Sequence, residues 1–355
     1  MQIVDESTLR LLRESAADFC KAITLATGNE PSTRWWSDIA ELGWLAVATA
    51  EDQGGSGLGL AGAGVIAHEL GKAGYARGYG ETVALTHALR RGLANGDIAS
   101  SAAIEKALEE TLTGKQQISL LYPLGPNAAN EGLVPDVGAM HLLVLTLGAD
   151  QSLSLHQLTD VTRQQLIKTT SRSRDVLVEL HQQSFGNGSV RISLGEGGGA
   201  QRVWNDAMET HRMLAAAQLV GVAQTALSMA LDYANIRSQF GRLIGAYQAV
   251  QHAIVDILAC TDAAELLVNH ALAAFDARRP DYLSLLHAAT AFAREAAWTS
   301  LMKTYDVLGG VGFIEVHPIN RYTRAMMLTL SSLGSASECE DAAANHVCPG
   351  HWLAI

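Results

Sequence analysis

From Met213 onward, mostly apolar or small side chains recur every three or four positions, with the amide of Gln224 the exception: Ala217, Val220, Gln224, Leu227 and Leu231, then Val250, Ile254, Ile257, Thr261, Ala264 and Val268. Such a stripe lies along one face of an α-helix, because about 3.6 residues complete a turn. A third helix is expected over roughly 281–307, and a fourth after His317-Pro318, where proline suits a first turn. At about 1.5 Å of rise per residue these helices run near 40 Å and connect through short turns. The pattern predicts an antiparallel four-helix bundle over residues 201–355.

Upstream the period changes twice. Residues 1–117 read as an N-terminal helical domain with glycine-rich turns: Trp36, Ile39, Ala40 and Leu42 form a helical face, Gly43 ends it, and Gly54 to Gly59 read as a flexible connection before Val65, Ile66 and Leu70. Over residues 118–200 the segments "MHLLVLTL", "SLSLHQL", "VLVEL" and "VRISL" are short, rich in Leu, Val and Ile, and bounded by turn formers, which predicts a small β domain. The glycine run at 195–199 reads as its exit linker. The expected class is mainly α with a small central β domain.

Composition excludes some functions. A net charge of −11 leaves no general lysine and arginine surface for tracking nucleic-acid phosphates. No uninterrupted apolar run reaches the roughly 18 residues of a membrane span, and the acidic, amphipathic start reads as a first helix and not an export signal, so a cytoplasmic location is expected. Cys20, Cys260, Cys339 and Cys348 contain no CxxC pair and read as reduced thiols. His346, Cys348 and His351, with Cys339 upstream, match no standard zinc spacing, and no metal is expected.

Two segments interrupt the helices with chemistry. "IRSQFGRLIGAY", residues 236–247, sets Arg237 at a helix end and Gln239-Phe240-Gly241 in a turn. A guanidinium fork suits a pyrophosphate; a helix-end arginine equally suits the helix dipole or a nearby acid. "YDVLGGVGFIEVHPINRYTR", residues 305–324, turns through Gly309-Gly310-Val311-Gly312-Phe313 and restarts at His317-Pro318 with Arg321 and Arg324. A double glycine lets backbone amides approach a ligand, or serves as a bare turn.

In this order the segments resemble the acyl-CoA dehydrogenase family. Its Tyr-x3-Arg-x-Gln-Phe-Gly stretch and continuation are matched by Tyr233, Arg237, Gln239, Phe240, Gly241, Ile244, Tyr247, Gln248, Gln251 and His252. Its double-glycine stretch is matched by Gly309, Gly310, Gly312, Phe313, His317, Pro318, Arg321 and Arg324. The resemblance implies α,β-desaturation of an acyl-CoA thioester, in which a carboxylate base removes the α proton while the β hydride passes to the flavin of FAD. It also implies FAD straddling a subunit interface. Arg237, Gln239, Phe240, Gln248, Gly309 and Gly310 would then contact FAD held mainly by a partner chain, with Asp306 standing where the motif usually has glutamine. Arg212 matches a family arginine near the substrate's α-carbon.

The departures are as informative. Leu333, followed by Gly334 and Ser335, occupies the place of the usual base glutamate, and His211, before Arg212, occupies the alternative place on the first bundle helix. Leucine takes no proton; a histidine in principle does. Glu209 and Glu338 lie nearby in sequence. The flavin-cradling Thr-Glu-Pro segment is reduced to "LLYPLGPNAANEG", which keeps Pro123. The groups a subunit offers its neighbour mostly remain, while those for its own flavin and base are gone. The resemblance therefore narrows to the degenerate subunit of a heteromeric, bacterial steroid side-chain type acyl-CoA dehydrogenase. Its partners would be a homologous base-bearing subunit and an electron-transfer acceptor. The alternatives are a self-sufficient flavoenzyme using His211 or a displaced acid such as Glu338, and a structural subunit without flavin contact, for which Asp306 argues.

Overall fold

A computed structural model describes residues 5–26, 34–75, 78–120, 122–123, 131–134, 141–148, 150–157, 178–181 and 191–347. They divide into two compact units: Met1–Pro31, Leu60–Ala76 and Arg212–Ile355 in one, Ser32–Gly59 and Arg77–His211 in the other.

The first unit is helical. It contains α1 (Glu6–Ala26), most of α3 (Gly59–Lys72), the second half of α6 (Gly197–Ile236), α7 (Gln248–Asp276), α8 (Tyr282–Leu308), α9 (Ile319–Ser332) and α10 (Ala336–Val347). The expected bundle is α6 to α9, and α8 packs against α7, α9 and α10. Buried alanines, among them Ala223, Ala226 and Ala230 of α6 and Ala289, Ala293 and Ala297 of α8, let the helices approach closely. The Gln224 amide donates to Glu265 of α7 at 2.7 Å, and the Thr304 hydroxyl of α8 donates to the Ala226 carbonyl at 3.0 Å. Asp276, at the end of α7, accepts from the first amides of α3, Leu60 at 2.9 Å and Ala61 at 2.8 Å. That carboxylate satisfies donors the α3 start cannot satisfy itself; its burial raises its pKa against the pull of the two hydrogen bonds.

The second unit places α2 (Arg34–Glu41), α4 (Tyr79–Asn95), α5 (Ala102–Leu112) and the first half of α6 with the strands. Strands β1 (Gln117–Leu120), β4 (Leu142–Leu147), β5 (Leu153–Gln157) and β7 (Arg191–Gly195) form a sheet in the order β1-β4-β5-β7, with only β1 and β4 parallel among its pairs. Strands β2 (Tyr122–Pro123), β3 (Glu131–Val134) and β6 (Val178–His181) pair antiparallel in a second sheet. The core joins Leu85 and Leu89 of α4 and Ile104 and Leu108 of α5 to Ile118, Leu143, Leu145 and Leu155 of the first sheet, and takes in Val203 and Ala207 of α6.

Four sequence readings need correction or extension. The glycine run is not a linker, because Gly197 already opens the 40-residue helix α6; a Cβ on Gly199 would stand 2.3 Å from the Asp97 carbonyl, so glycine is there for close backbone approach. The Gly54–Gly59 stretch is tied by hydrogen bonds from Gly55 to Ala50, Ser56 to Ala46 and Gly57 to Thr49. Leu42 falls beyond the end of α2 and is exposed. The four expected strands are β4 to β7, whereas β1, short and half polar, carries no periodic signal and is buried at every position.

By length and composition α6 and α7 each contain an apolar window long enough to cross a membrane; 61% of that window is buried within the protein in α6 and 39% in α7. Core helices of a bundle meet the same criterion, so the composition decides nothing about a membrane.

Candidate functional site

The segment after α6 folds as a miniature hairpin. Strands β8 (Ser238–Gln239) and β9 (Arg242–Leu243) pair Ser238 with Leu243 and Gln239 with Arg242, leaving Phe240-Gly241 as a two-residue loop. Their φ angles, 51° and 82°, give the left-handed pair of a type I′ turn. Glycine adopts this freely; phenylalanine does so at a cost of about 1–2 kcal/mol. Phe240 is nevertheless 93% exposed, so its own unit returns nothing for that strain. The hairpin is braced from behind: Arg242 stacks over the Tyr247 ring at 3.9 Å, the Tyr247 hydroxyl donates to the Gln239 carbonyl at 3.0 Å, and the Gln251 amide donates to the Gly245 carbonyl at 2.9 Å. Arg237, Gln239 and Gln248 are exposed, and the Arg237 guanidinium has no hydrogen-bond or ion-pair partner among the described residues.

An apolar cluster fastens the second motif to the same end of the bundle. Ala230, Ala234 and Ile257 pack with Val307, next to the double glycine, and Tyr233, Ile244 and Val250 close the cluster from the hairpin side. Lys303 of α8 binds Asp256 of α7 at 2.7 Å alongside. Gly309 has φ 59°, and both Gly309 and Gly310 are exposed, with no atom within 4 Å of where a Cβ would stand. Asp306 is exposed as well. An exposed guanidinium without a partner among the described residues, bare glycine backbone and an unburied aromatic at one bundle end suit an anionic phosphate ligand chemically. Asp306 works against the fit, but water screens an exposed carboxylate.

The base position lies elsewhere in the unit, beyond the 14 residues of α9, which rise about 21 Å. Leu333 is 2% exposed, and its carbonyl accepts from the buried Cys339 thiol at 3.3 Å. The next turn is fully engaged. Ser335 and Glu338 form a capping box: the Ser335 amide and hydroxyl donate to the Glu338 carboxylate at 2.7 and 2.9 Å, and the Glu338 amide donates back at 3.1 Å. These bonds, with weaker help from Arg212 and Arg294, hold the Glu338 carboxyl below its usual range. Arg294 of α8 clamps the turn, donating to the Gly334 carbonyl at 2.8 Å. Burial raises the Cys339 thiol, partly countered by Arg294 and Arg212.

Arg212 thus belongs with the 333–339 turn, while Arg237, Gln239, Phe240, Gln248, Asp306, Gly309 and Gly310 belong to the bundle corner. His211 is buried at 4% exposure and Glu209 half-buried. The side chain of Pro123, most of the "LLYPLGPNAANEG" segment, and Cys348 and His351 lie outside the described residues. Among the described residues no group of three metal-ligating side chains occurs. The sequence reading missed Arg294, whose role arises only when α8 meets the end of α9. The Ser-x-x-Glu signature at 335–338 was available to it.

Residues 4–95 match the family described as "Acyl-CoA dehydrogenase, N-terminal domain", and residues 197–338 that described as "Acyl-CoA dehydrogenase, C-terminal domain". A probable acyl-CoA dehydrogenase of Mycobacterium tuberculosis is 34% identical over 113 residues, 32% of this chain and 29% of that protein. The chain thus spans less than a third of that relative's length. Among solved structures, the Tcur3481-Tcur3483 steroid ACAD shares the fold with a TM-score of 0.77 at 23% identity, covering 96% of this chain and 98% of that one. The ChsE4-ChsE5 complex from Mycobacterium tuberculosis does so with a TM-score of 0.76 at 19% identity, covering 98% and 99%. With both terminal domains matched in order, and both motifs standing at one end of the expected bundle, this chain belongs to the acyl-CoA dehydrogenase family.

Proposed function

We propose that the chain is one subunit of a FAD-dependent acyl-CoA dehydrogenase and lends its bundle corner to FAD held by a homologous, base-bearing partner. The observation that carries this reading is the corner itself: an exposed Arg237 with no side-chain partner among the described residues, open backbone at Gly309-Gly310 and a strained, exposed Phe240 on a braced hairpin. Bound FAD would supply the acceptor for the hydride leaving the acyl β-carbon. In this chain Arg237 neutralises diphosphate charge, Gln239 and Gln248 offer amide hydrogen bonds, and the glycines leave room for the nucleotide. The family base position supports a lending role, since Leu333 has no proton acceptor and Glu338 is occupied as a helix cap.

The substrate is an acyl-CoA, and the named steroid enzyme among the structural neighbours makes a steroid side-chain thioester the first to try. Electrons leave to an electron-transfer protein, and the assembly works in the cytoplasm. The test is co-expression with an adjacent dehydrogenase-like partner, followed by flavin absorbance per subunit for wild type and Arg237→Ala. Removing one charge-assisted contact worth about 2 kcal/mol should lower flavin retention roughly 30-fold. Unchanged flavin content would favour the structural reading that the exposed Asp306 supports. A chain that is yellow and turns over acyl-CoA by itself would favour the self-sufficient enzyme.

A further inference from the structure

Away from both the corner and the hairpin, helices α8, α9 and α10 enclose a half-open cavity of about 470 Å³. That is the size of a small-molecule site. Its apolar wall includes Leu330 and two large side chains left uncovered, Trp298 at 48% and Met327 at 51% exposure. Arg294 also lines it, one cation whose donors are directed to the Gly334 carbonyl at 2.8 Å and the Leu330 carbonyl at 3.4 Å and whose charge remains. The remaining charges are Glu295 and Glu340, and neither has an ion-pair partner among the described residues. An indole face, a polarisable thioether and two carboxylates against the single cation of Arg294 leave one net negative charge around one space, which favours positive charge on an apolar body.

We infer that this cavity binds an organic cation with an apolar body, seated on Trp298 and Met327 and balanced by Glu295 and Glu340. The cation is either a free ammonium compound or a cationic side chain of another subunit; the chemistry is shared. The site stands apart from the flavin reading and does not depend on it.

Benzyltrimethylammonium is the probe, with benzyl alcohol as its uncharged and phenylacetate as its anionic counterpart, followed by calorimetry and tryptophan emission on the full chain. The ammonium should bind saturably at one site, at least tenfold tighter than benzyl alcohol, and phenylacetate should not bind. The Glu295→Gln/Glu340→Gln double variant should lose that tenfold preference and keep its affinity for benzyl alcohol. Trp298→Leu preserves apolar bulk without the aromatic face and should weaken the ammonium selectively; a matching melting midpoint shows that the fold is intact. Phenylacetate binding as well as the ammonium, or ammonium binding that survives both sets of substitutions, overturns the assignment. Repeating the titration on the co-purified complex separates the sources. Binding retained there indicates a free cation, and binding seen only in the lone chain indicates a subunit side chain already seated.

Discussion

Replacing Phe240 by asparagine should separate what the hairpin tip costs this chain from what it does for a partner. In the isolated chain Phe240 sits at φ 51° and is 93% exposed, so the substitution removes no internal packing. Asparagine followed by glycine is the preferred type I′ pair, and relief of left-handed strain should raise stability by about 1 kcal/mol. The midpoint of a denaturant melt should therefore move up, with an unchanged slope. In the complex, a phenyl ring buried on the partner is worth about 2–3 kcal/mol, so the same substitution should weaken assembly about 30- to 150-fold. Assembly is measured by sedimentation over a dilution series, with flavin retention read from the same samples. A variant that is less stable alone would show that the ring packs within its own subunit. One that assembles like wild type would show that the tip faces water, and the lending reading would fail.

Other substitutions probe the frame around the site. Asp276→Ala should cost about 2–4 kcal/mol in a chemical melt, because it strips two charge-assisted bonds from the start of α3, and Asp276→Asn should recover part of that. His287, stacked on His346 at 4.6 Å, has its pKa pushed down to about 4 by burial, then by Arg212 and His346. Its neutral form stabilises the fold fully above the ordinary value near 6.5, and that stability is lost as pH falls toward about 4; a His287→Phe variant should show a flatter stability profile over the same window. Leu333→Glu should create no turnover in the single chain and should lower stability by about 3 kcal/mol, since the position is 2% exposed and its surroundings are already engaged.

How far the sequence speaks depends on whether a residue's role is local. The stripe from Ala217 to Val268 is a local property, and it marks stretches within α6 and α7, although α6 starts well before it at Gly197 and α7 runs past it to Asp276. Ser335 and Glu338 are likewise local, since a capping box needs only its own turn. Gly199 is the opposite case: a glycine run looks like a linker until Asp97, about a hundred positions upstream, is found pressing on its Cα. The cap that Asp276 places on Leu60 and Ala61 joins residues more than two hundred positions apart and leaves no pattern in either segment. The corner falls between these cases. Arg237 and the glycines stand out in the sequence only as parts of motifs that resemble the family's, and the type I′ strain at Phe240 and the packing of Val307 with Tyr233 and Ile244 follow only from the fold.

The geometry also lets the proposed corner and the 333–339 turn vary independently within one bundle. The corner is held by a two-residue hairpin, a cation–aromatic stack and a small apolar cluster, all contributed by residues near the ends of α6, α7 and α8. None of these reaches the turn after α9, where Leu333, Cys339 and Arg294 fill the place of a base. Interactions that share no partner and lie well over 10 Å apart contribute independently. A carboxylate at 333 can therefore be exchanged for a leucine, and the turn repacked around it, without moving the guanidinium of Arg237. The converse also holds: a substitution at the corner should leave the 333–339 turn as it is. Flavin retention and the stability of that turn ought to respond to separate sets of substitutions, and any coupling between them above about 0.5 kcal/mol in a double-mutant cycle of Arg237→Ala with Ser335→Ala would refute the separation.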